Sequence, residues 1–199
     1  MIALAKAREI AREIVIELSP FCERIEVAGS IRREKPQVKD IEIVAVPRLE
    51  PTQAGLFGEP GEPVNLLRRK LDALVLEGIL KRRKDPSGTE CWGERHQRAL
   101  YGDGANKVPV DLFGVLPPAE WGVIFAIRTG SAEFSRRMVT RRIYGGMMPE
   151  YTRVVDGALW RVDPHRRDEK IELVPTPEEG DFFRAIGYPD YPDPQERLL

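Results

Sequence analysis

The chain is poor in the residues that brace small or secreted proteins. Its two cysteines among 199 residues, Cys22 and Cys91, are too few for a disulfide framework. Its two histidines, His96 and His165, leave little for a zinc site. No apolar run approaches the roughly 20 residues that a membrane span needs, and the charged pattern after Met1 is unlike a signal peptide. Charge of one sign is also missing, with 31 Lys and Arg against 32 Asp and Glu and a net charge of -1. These shortages predict a protein without membrane contact, acting in the cytoplasm of a cell or, if virally encoded, of the host. Hydrophobic residues make up 42%, enough for a sizeable core, which excludes a disordered chain. At about 100–200 residues per domain, the length allows one domain or two small subdomains.

The neutral total hides segregation. From Arg128 to Arg153 there are six Arg and two Glu, whereas from Pro175 onward six acids face two Arg. A local surplus of four positive charges permits a polyanionic partner that the net figure would not suggest.

Apolar spacing of three and four residues predicts a helix over 3–18 and another over 66–78. Short strands are expected at 25–28, 40–46, 79–84, 95–101 and 108–115. The stretch from Pro47 to Pro63 holds four Pro and three Gly and reads as a loop. After Pro117-Pro118 the pattern turns helical, over 119–128 and 132–144. A hairpin over 150–162 turns at Asp156-Gly157. Thr176-Pro177-Glu178-Glu179 reads as a capping box opening a short helix to Ile186. The expected class is α+β: a palm-like core over 1–116, then a smaller, mostly helical subdomain with a β-hairpin over 117–199.

The chemistry gathers in the first half. Period-2 alternation puts Asp40 and Glu42 on one face of a strand whose other face is aliphatic. Asp111 shares a face with Pro109 and Phe113 on a second strand. If the two strands are neighbours, three carboxylates converge. Bare, such a cluster raises at least one pKa, and hard divalent cations relieve it. A solvated sheet face accounts for Asp40 and Glu42 alone equally well. Ten residues earlier, Gly29-Ser30 ends a strand and leads into Arg32-Arg33. Such a turn offers backbone N–H groups, a hydroxyl and a guanidinium to phosphate oxygens.

Taken together, Gly29-Ser30, Arg32-Arg33, Asp40-Ile41-Glu42 and Asp111 within Val108–Phe113 resemble the signature of the X-family DNA polymerases, members of the nucleotidyltransferase superfamily. Thr129-Gly130-Ser131 followed by Phe134 and Arg136-Arg137-Met138 is similar to the stretch where that family's thumb begins. Glu150-Tyr151-Thr152 and the segment Thr176–Gly187 match its thumb as well. The resemblance therefore implies a nucleotidyltransferase palm followed by a thumb, a minimal form with no room before the palm for the family's lyase or helix-hairpin-helix domains.

The resemblance implies two Mg²⁺ ions, replaceable by Mn²⁺, held by Asp40, Glu42 and Asp111, with Asp111 assisting deprotonation of a primer 3′-OH. It implies nucleotide contacts from Gly29, Ser30 and Arg33 to the phosphates, and from Thr129, Gly130, Ser131 and Ser135 near the sugar and base. Arg136, Arg137, Arg141 and Arg142, expected on one helix, become contacts to DNA phosphates. The partners implied are a dNTP and a primer-template or gapped DNA, bound by a monomer in short-gap or repair synthesis. The sequence departs from the pattern in carrying Glu42 for the commoner Asp, Ile127-Arg128 where an aromatic often excludes ribose, Ser135 for Asn and Val139 for Arg. These departures suit looser substrate choice, so a terminal transferase, or an enzyme adenylylating a small molecule or protein, is the alternative. Finally, Gln53-Ala-Gly-Leu56-Phe57 resembles the pentapeptide by which ligands dock on bacterial sliding clamps.

Overall fold

The computed structural model describes residues 1–52, 61–84, 87–102, 107–166 and 168–198; the clamp-like segment Gln53–Phe57 lies outside them. The first half runs α1 (Leu4–Leu18), β1 (Cys22–Val27), a helical turn α2 (Gly29–Arg32), β2 (Ile41–Pro47), α3 (Leu66–Leu76), β3 (Leu80–Arg82), β4 (His96–Tyr101) and β5 (Val108–Gly114). The second half runs α4 (Trp121–Thr129), α5 (Ala132–Val139), β6 (Thr152–Val155), β7 (Ala158–Asp163), β8 (Glu169–Val174) and α6 (Glu179–Ala185). The class is α+β, as expected. Among the described residues no helix is long and apolar enough to cross a membrane.

A five-stranded sheet of order β1-β2-β5-β4-β3 organises the first half. It is mixed, because β2 and β5 run parallel while the other neighbours are antiparallel. Alternation sorts its two faces. Ile41, Ile43, Ala45, Val110 and Leu112 pack beneath α1 and α3, whose apolar stripes (Ala7, Ile10, Ile14, Leu18; Leu67, Leu71, Leu74) close that core. The opposite face carries Val44 and Phe113, which pack with Trp121 and Phe125 of α4 in a second cluster that joins the two halves. A third cluster, around Met138, Met148, Leu159, Phe182 and Phe183, fills the second half. The polar end of the inter-half face, where Glu42 and Asp111 lie, is thus framed by packed walls.

Three local expectations need correction. The helix expected over 132–144 ends at Val139, and Thr140 is extended (φ -88, ψ 139). Its hydroxyl donates back to the Arg136 carbonyl at 2.6 Å, and Arg141 pairs with Met148 in a β-bridge. A β-branched hydroxyl residue that can satisfy the backbone locally competes with helix continuation. The hairpin turn stands, with Asp156 (φ 55) and Gly157 (φ 80) both in the left-handed region that such two-residue turns require. A third strand, β8, extends that hairpin, although its residues are almost all exposed. Lastly, the capping box of α6 is Glu178 with Asp181, not Thr176 with Glu179. Thr176 instead gives its N–H and hydroxyl to Glu120, at 2.8 and 2.6 Å.

Candidate active site

The register of the sheet brings the acids together. Glu42 and Asp111 are direct partners across the parallel pair β2–β5, so their side chains rise on the same face. Asp40, immediately before β2, lies close enough to disfavour the ionised form of Glu42. On the other flank, the Ala28 N–H donates to the Glu42 carbonyl at 2.8 Å, which sets Gly29 beside Glu42. Gly29 has a positive φ of 61. A Cβ there would lie 2.7 Å from the Glu42 Cδ and 3.0 Å from its Cβ. Glycine is therefore required twice, for backbone and for space. Gly29→Ala is expected to displace Glu42 and lower the melting temperature by several degrees, from about 1–2 kcal/mol of strain; a variant with unchanged melting and activity would contradict the close approach.

Burial, with repulsion from Asp40 next, pushes the Glu42 carboxyl up to about 7, and Arg33 and Arg128 oppose the shift. The flanking cations are themselves constrained. Burial lowers the pKa of Arg33 and Arg128, and the nearby carboxylates hold both the other way. Arg128 lies over Phe113, its Cζ 3.8 Å from the ring centroid. Arg98, facing Asp111 across β4–β5, grips it with two bonds of 3.1 and 3.2 Å. Hydrogen bonding to Asp111 raises the Arg98 pKa in turn.

The Ser30 hydroxyl is buried without a partner, as are the Nε atoms of Arg33 and Arg128. Such atoms cost stability unless something else supplies an acceptor. The donor set of Asp40, Glu42 and Asp111 fits a hard divalent cation, because three carboxylates offer oxygen ligands while burial and Asp40 disfavour the ionised form of Glu42. Among the described residues, no group of three His, Cys, Asp or Glu is drawn close enough to cage a metal ion. Asp111 is turned to Arg98 and would have to leave it to take part.

The segment Thr129–Ser131 is pinned from the first half by the arginines of the Gly29-Ser30 turn. Arg33 donates to the Gly130 carbonyl at 2.8 Å and also to the Thr129 carbonyl. Arg32 donates to the Thr129 hydroxyl at 2.6 Å. The Ser131 hydroxyl caps α5 by accepting from the Phe134 N–H, and the Ser135 hydroxyl donates to the Ile127 carbonyl at 2.6 Å. No family model matches this chain, and no curated protein does. The arrangement has to be read on its own geometry.

That geometry divides the expected residues. Glu42, Asp111 and Gly29 meet at the polar end of the sheet, Asp40 and Arg33 lie close enough to act on Glu42, and Thr129 and Gly130 are tied to Arg33, whereas Ser131 and Ser135 serve mainly to hold α4 and α5. The four arginines do not share a helix. Arg136 and Arg137 lie on α5, Arg136 exposed and paired with Glu133. Arg141 lies beyond the helix end and pairs with Asp168. Arg142 donates to the carbonyls of Met147 at 3.2 Å and Ile186 at 2.7 Å. Sequence reasoning missed Arg98, whose tie to Asp111 depends on strand register, and the buried set around Glu179. That carboxylate accepts from Arg32 at 2.8 and 2.9 Å and from Arg197 at 2.7 and 3.3 Å.

Proposed function

We propose that the chain is a metal-dependent nucleotidyltransferase that adds a nucleotide to a primer 3′-OH, directed by a DNA template, with release of pyrophosphate. The observation that carries this reading is the pairing of Glu42 with Asp111 across parallel strands, packed against the Gly29-Ser30 turn. A carboxylate cluster next to an unpartnered hydroxyl and guanidinium groups suits a triphosphate bound with divalent cations better than either charge sign alone. Asp40, Glu42 and Asp111 would hold two Mg²⁺ ions, with Mn²⁺ able to replace them; when bound, these supply charge neutralisation and an acidified 3′-OH. The Ser30 hydroxyl and the first amides of α2 donate to phosphate oxygens. Arg33 and Arg128, already beside Glu42, hold the negative charge that develops on the leaving group. Asp111, once free of Arg98, accepts the 3′-OH proton. The palm-and-thumb reading of the two halves, and the resemblance to the X-family polymerases, belong to the same proposal.

The engagement of Arg141 by Asp168, and of Arg142 by two backbone carbonyls, favours a second reading. Among the expected DNA contacts it leaves the exposed Arg136, itself paired with Glu133, and the half-buried Arg137, a small electrostatic footprint for a duplex. Template-independent transfer, or transfer to a small molecule or protein, needs no such footprint. Asp111→Ala separates chemistry from binding. Nucleotide incorporation is expected to fall about a thousandfold, roughly 4 kcal/mol of transition-state stabilisation, with the fold retained by circular dichroism. Unchanged incorporation would remove Asp111 from the mechanism.

A further inference from the structure

The opposite face of the sheet holds a cavity of about 360 Å³ between α1, α3 and strands β3–β5. That volume falls within the range of small-ligand sites. Its walls are apolar: Ile14 and Leu18 of α1, Leu71 and Leu74 of α3, and Val110 and Leu112 of β5. Two of its lining residues are exposed apolar ones, Ile16 at 67% and Ile79 at 39% exposure. An ordinary core closes over such a gap, because unfilled volume forfeits dispersion contacts.

The polar groups at this cavity are biased toward accepting. Glu13 and Glu17 stand at the rim. Glu17 is paired with Lys70 at 2.5 Å, while Glu13 accepts from the Tyr101 hydroxyl at 3.4 Å. Gln97, only 3% exposed, lines the interior. Its Nε2 donates to the Gly93 carbonyl, and its Oε1 is buried with no donor. A buried acceptor without a partner costs stability that a donor entering the cavity would restore. Tyr101 and Trp92 add aromatic surface to the wall; Arg68 and Arg82 already lie over the Trp92 ring, so the Tyr101 ring, beside Glu13, is the aromatic surface offered to a ligand cation.

We propose that this cavity binds a small amphipathic amine, its apolar body between α1, α3 and the sheet and its protonated nitrogen toward Glu13, with an N–H or O–H donor to Gln97 Oε1. The proposal is independent of the reading of the carboxylate site. Even so, Val110 and Leu112 flank Asp111 in sequence, so occupancy bears on the strand that carries it.

Naphthalen-1-ylmethylamine, naphthalen-1-ylmethanol and naphthalene-1-sulfonate serve as cationic, neutral and anionic probes of one shape. Calorimetry should detect the amine at submillimolar concentration, with the sulfonate at least about tenfold weaker. The backbone amide resonances of Val110 and Leu112 and the Trp92 indole resonance should shift with the amine. Glu13→Gln is expected to bring the amine down to the affinity of the alcohol. Ala99→Phe, which fills the cavity, should abolish binding; should that variant fail to fold, Leu74→Met serves as a milder change and should weaken the amine severalfold. Equal binding of sulfonate and amine, binding that ignores both the charge and the filling variants, or no binding by any probe would overturn the proposal.

Discussion

Glu42→Gln is expected to give a protein that is catalytically silent yet more stable than the parent at pH 8. The ordinary value for a glutamate is 4.5, and in the folded chain burial and Asp40 push this one to about 7. Between those values the native state holds a proton that the unfolded chain has released. The stability that Glu42 contributes is therefore fully present below pH 4.5 and is lost as pH rises through 7, the reverse of a salt-bridged carboxylate such as Glu179. At about 1.4 kcal/mol per unit, the full loss is on the order of 3 kcal/mol. An amide of the same shape carries no charge to bury. Its melting temperature should exceed that of the parent by roughly 5–10 °C at pH 8, with the gap closing near pH 5. Mg²⁺ should raise melting of the parent and leave the variant unmoved, since binding to the native state alone stabilises by mass action. A variant that melts at or below the parent at pH 8, or that keeps its activity, would contradict the view that Glu42 trades stability for function.

Glu179→Ala has the largest expected cost to the fold. Burial raises the Glu179 carboxyl, but the hydrogen bonds from Arg32 and Arg197 outweigh it and hold the group below its ordinary value. Arg197 is wholly buried, and Arg32 also lies over the Phe125 ring at 4.1 Å. Deleting the carboxylate leaves two guanidinium groups facing each other without compensation. Breaking a buried ion pair from one side costs about 3–5 kcal/mol, a fall of roughly 10 °C or more in melting temperature for a chain of this size. The damage should reach the candidate site, because Arg32 also holds Thr129 and the Arg197 carbonyl accepts from the Ser131 N–H at 3.1 Å. Arg197→Met, which removes the charge but keeps an apolar stem, should cost less. Equal losses in the two variants, or a loss under about 1 kcal/mol for Glu179→Ala, would show that the network is not braced in this way.

What the sequence made legible follows from where periodicity operates. In β2 and β5 one face is a continuous aliphatic core, so Glu42 and Asp111 could be assigned to the opposite face residue by residue, although Val44 and Phe113 share that face and are buried against α4. Their neighbouring position could be stated only as a condition, since strand order is set by the whole sheet. Arg98 escaped notice for the same reason. Its charge reads as solvated until the β4–β5 register sets it opposite Asp111. β8 lacks alternation because neither face is buried; cross-strand hydrogen bonds to β7 hold it. Arg197 defied the usual rule that charged residues in a proline-rich tail face water. The end of α5 at Val139 was hidden because Arg141 and Arg142 continue a helical charge spacing that Thr140 interrupts.

The most direct measurement is incorporation of a labelled nucleotide by the unmodified protein. A primer would be offered on a one-nucleotide gap, on an open template and as a bare single strand, with dNTPs or rNTPs and with Mg²⁺, Mn²⁺ or chelator. The account predicts metal-dependent addition of the complementary nucleotide on the gapped substrate. Untemplated addition would keep the carboxylate chemistry and move the acceptor to a free strand end. No incorporation on any substrate, by a protein that is folded and supplied with metal, would contradict the claim that Asp40, Glu42 and Asp111 form a centre for nucleotide transfer to DNA.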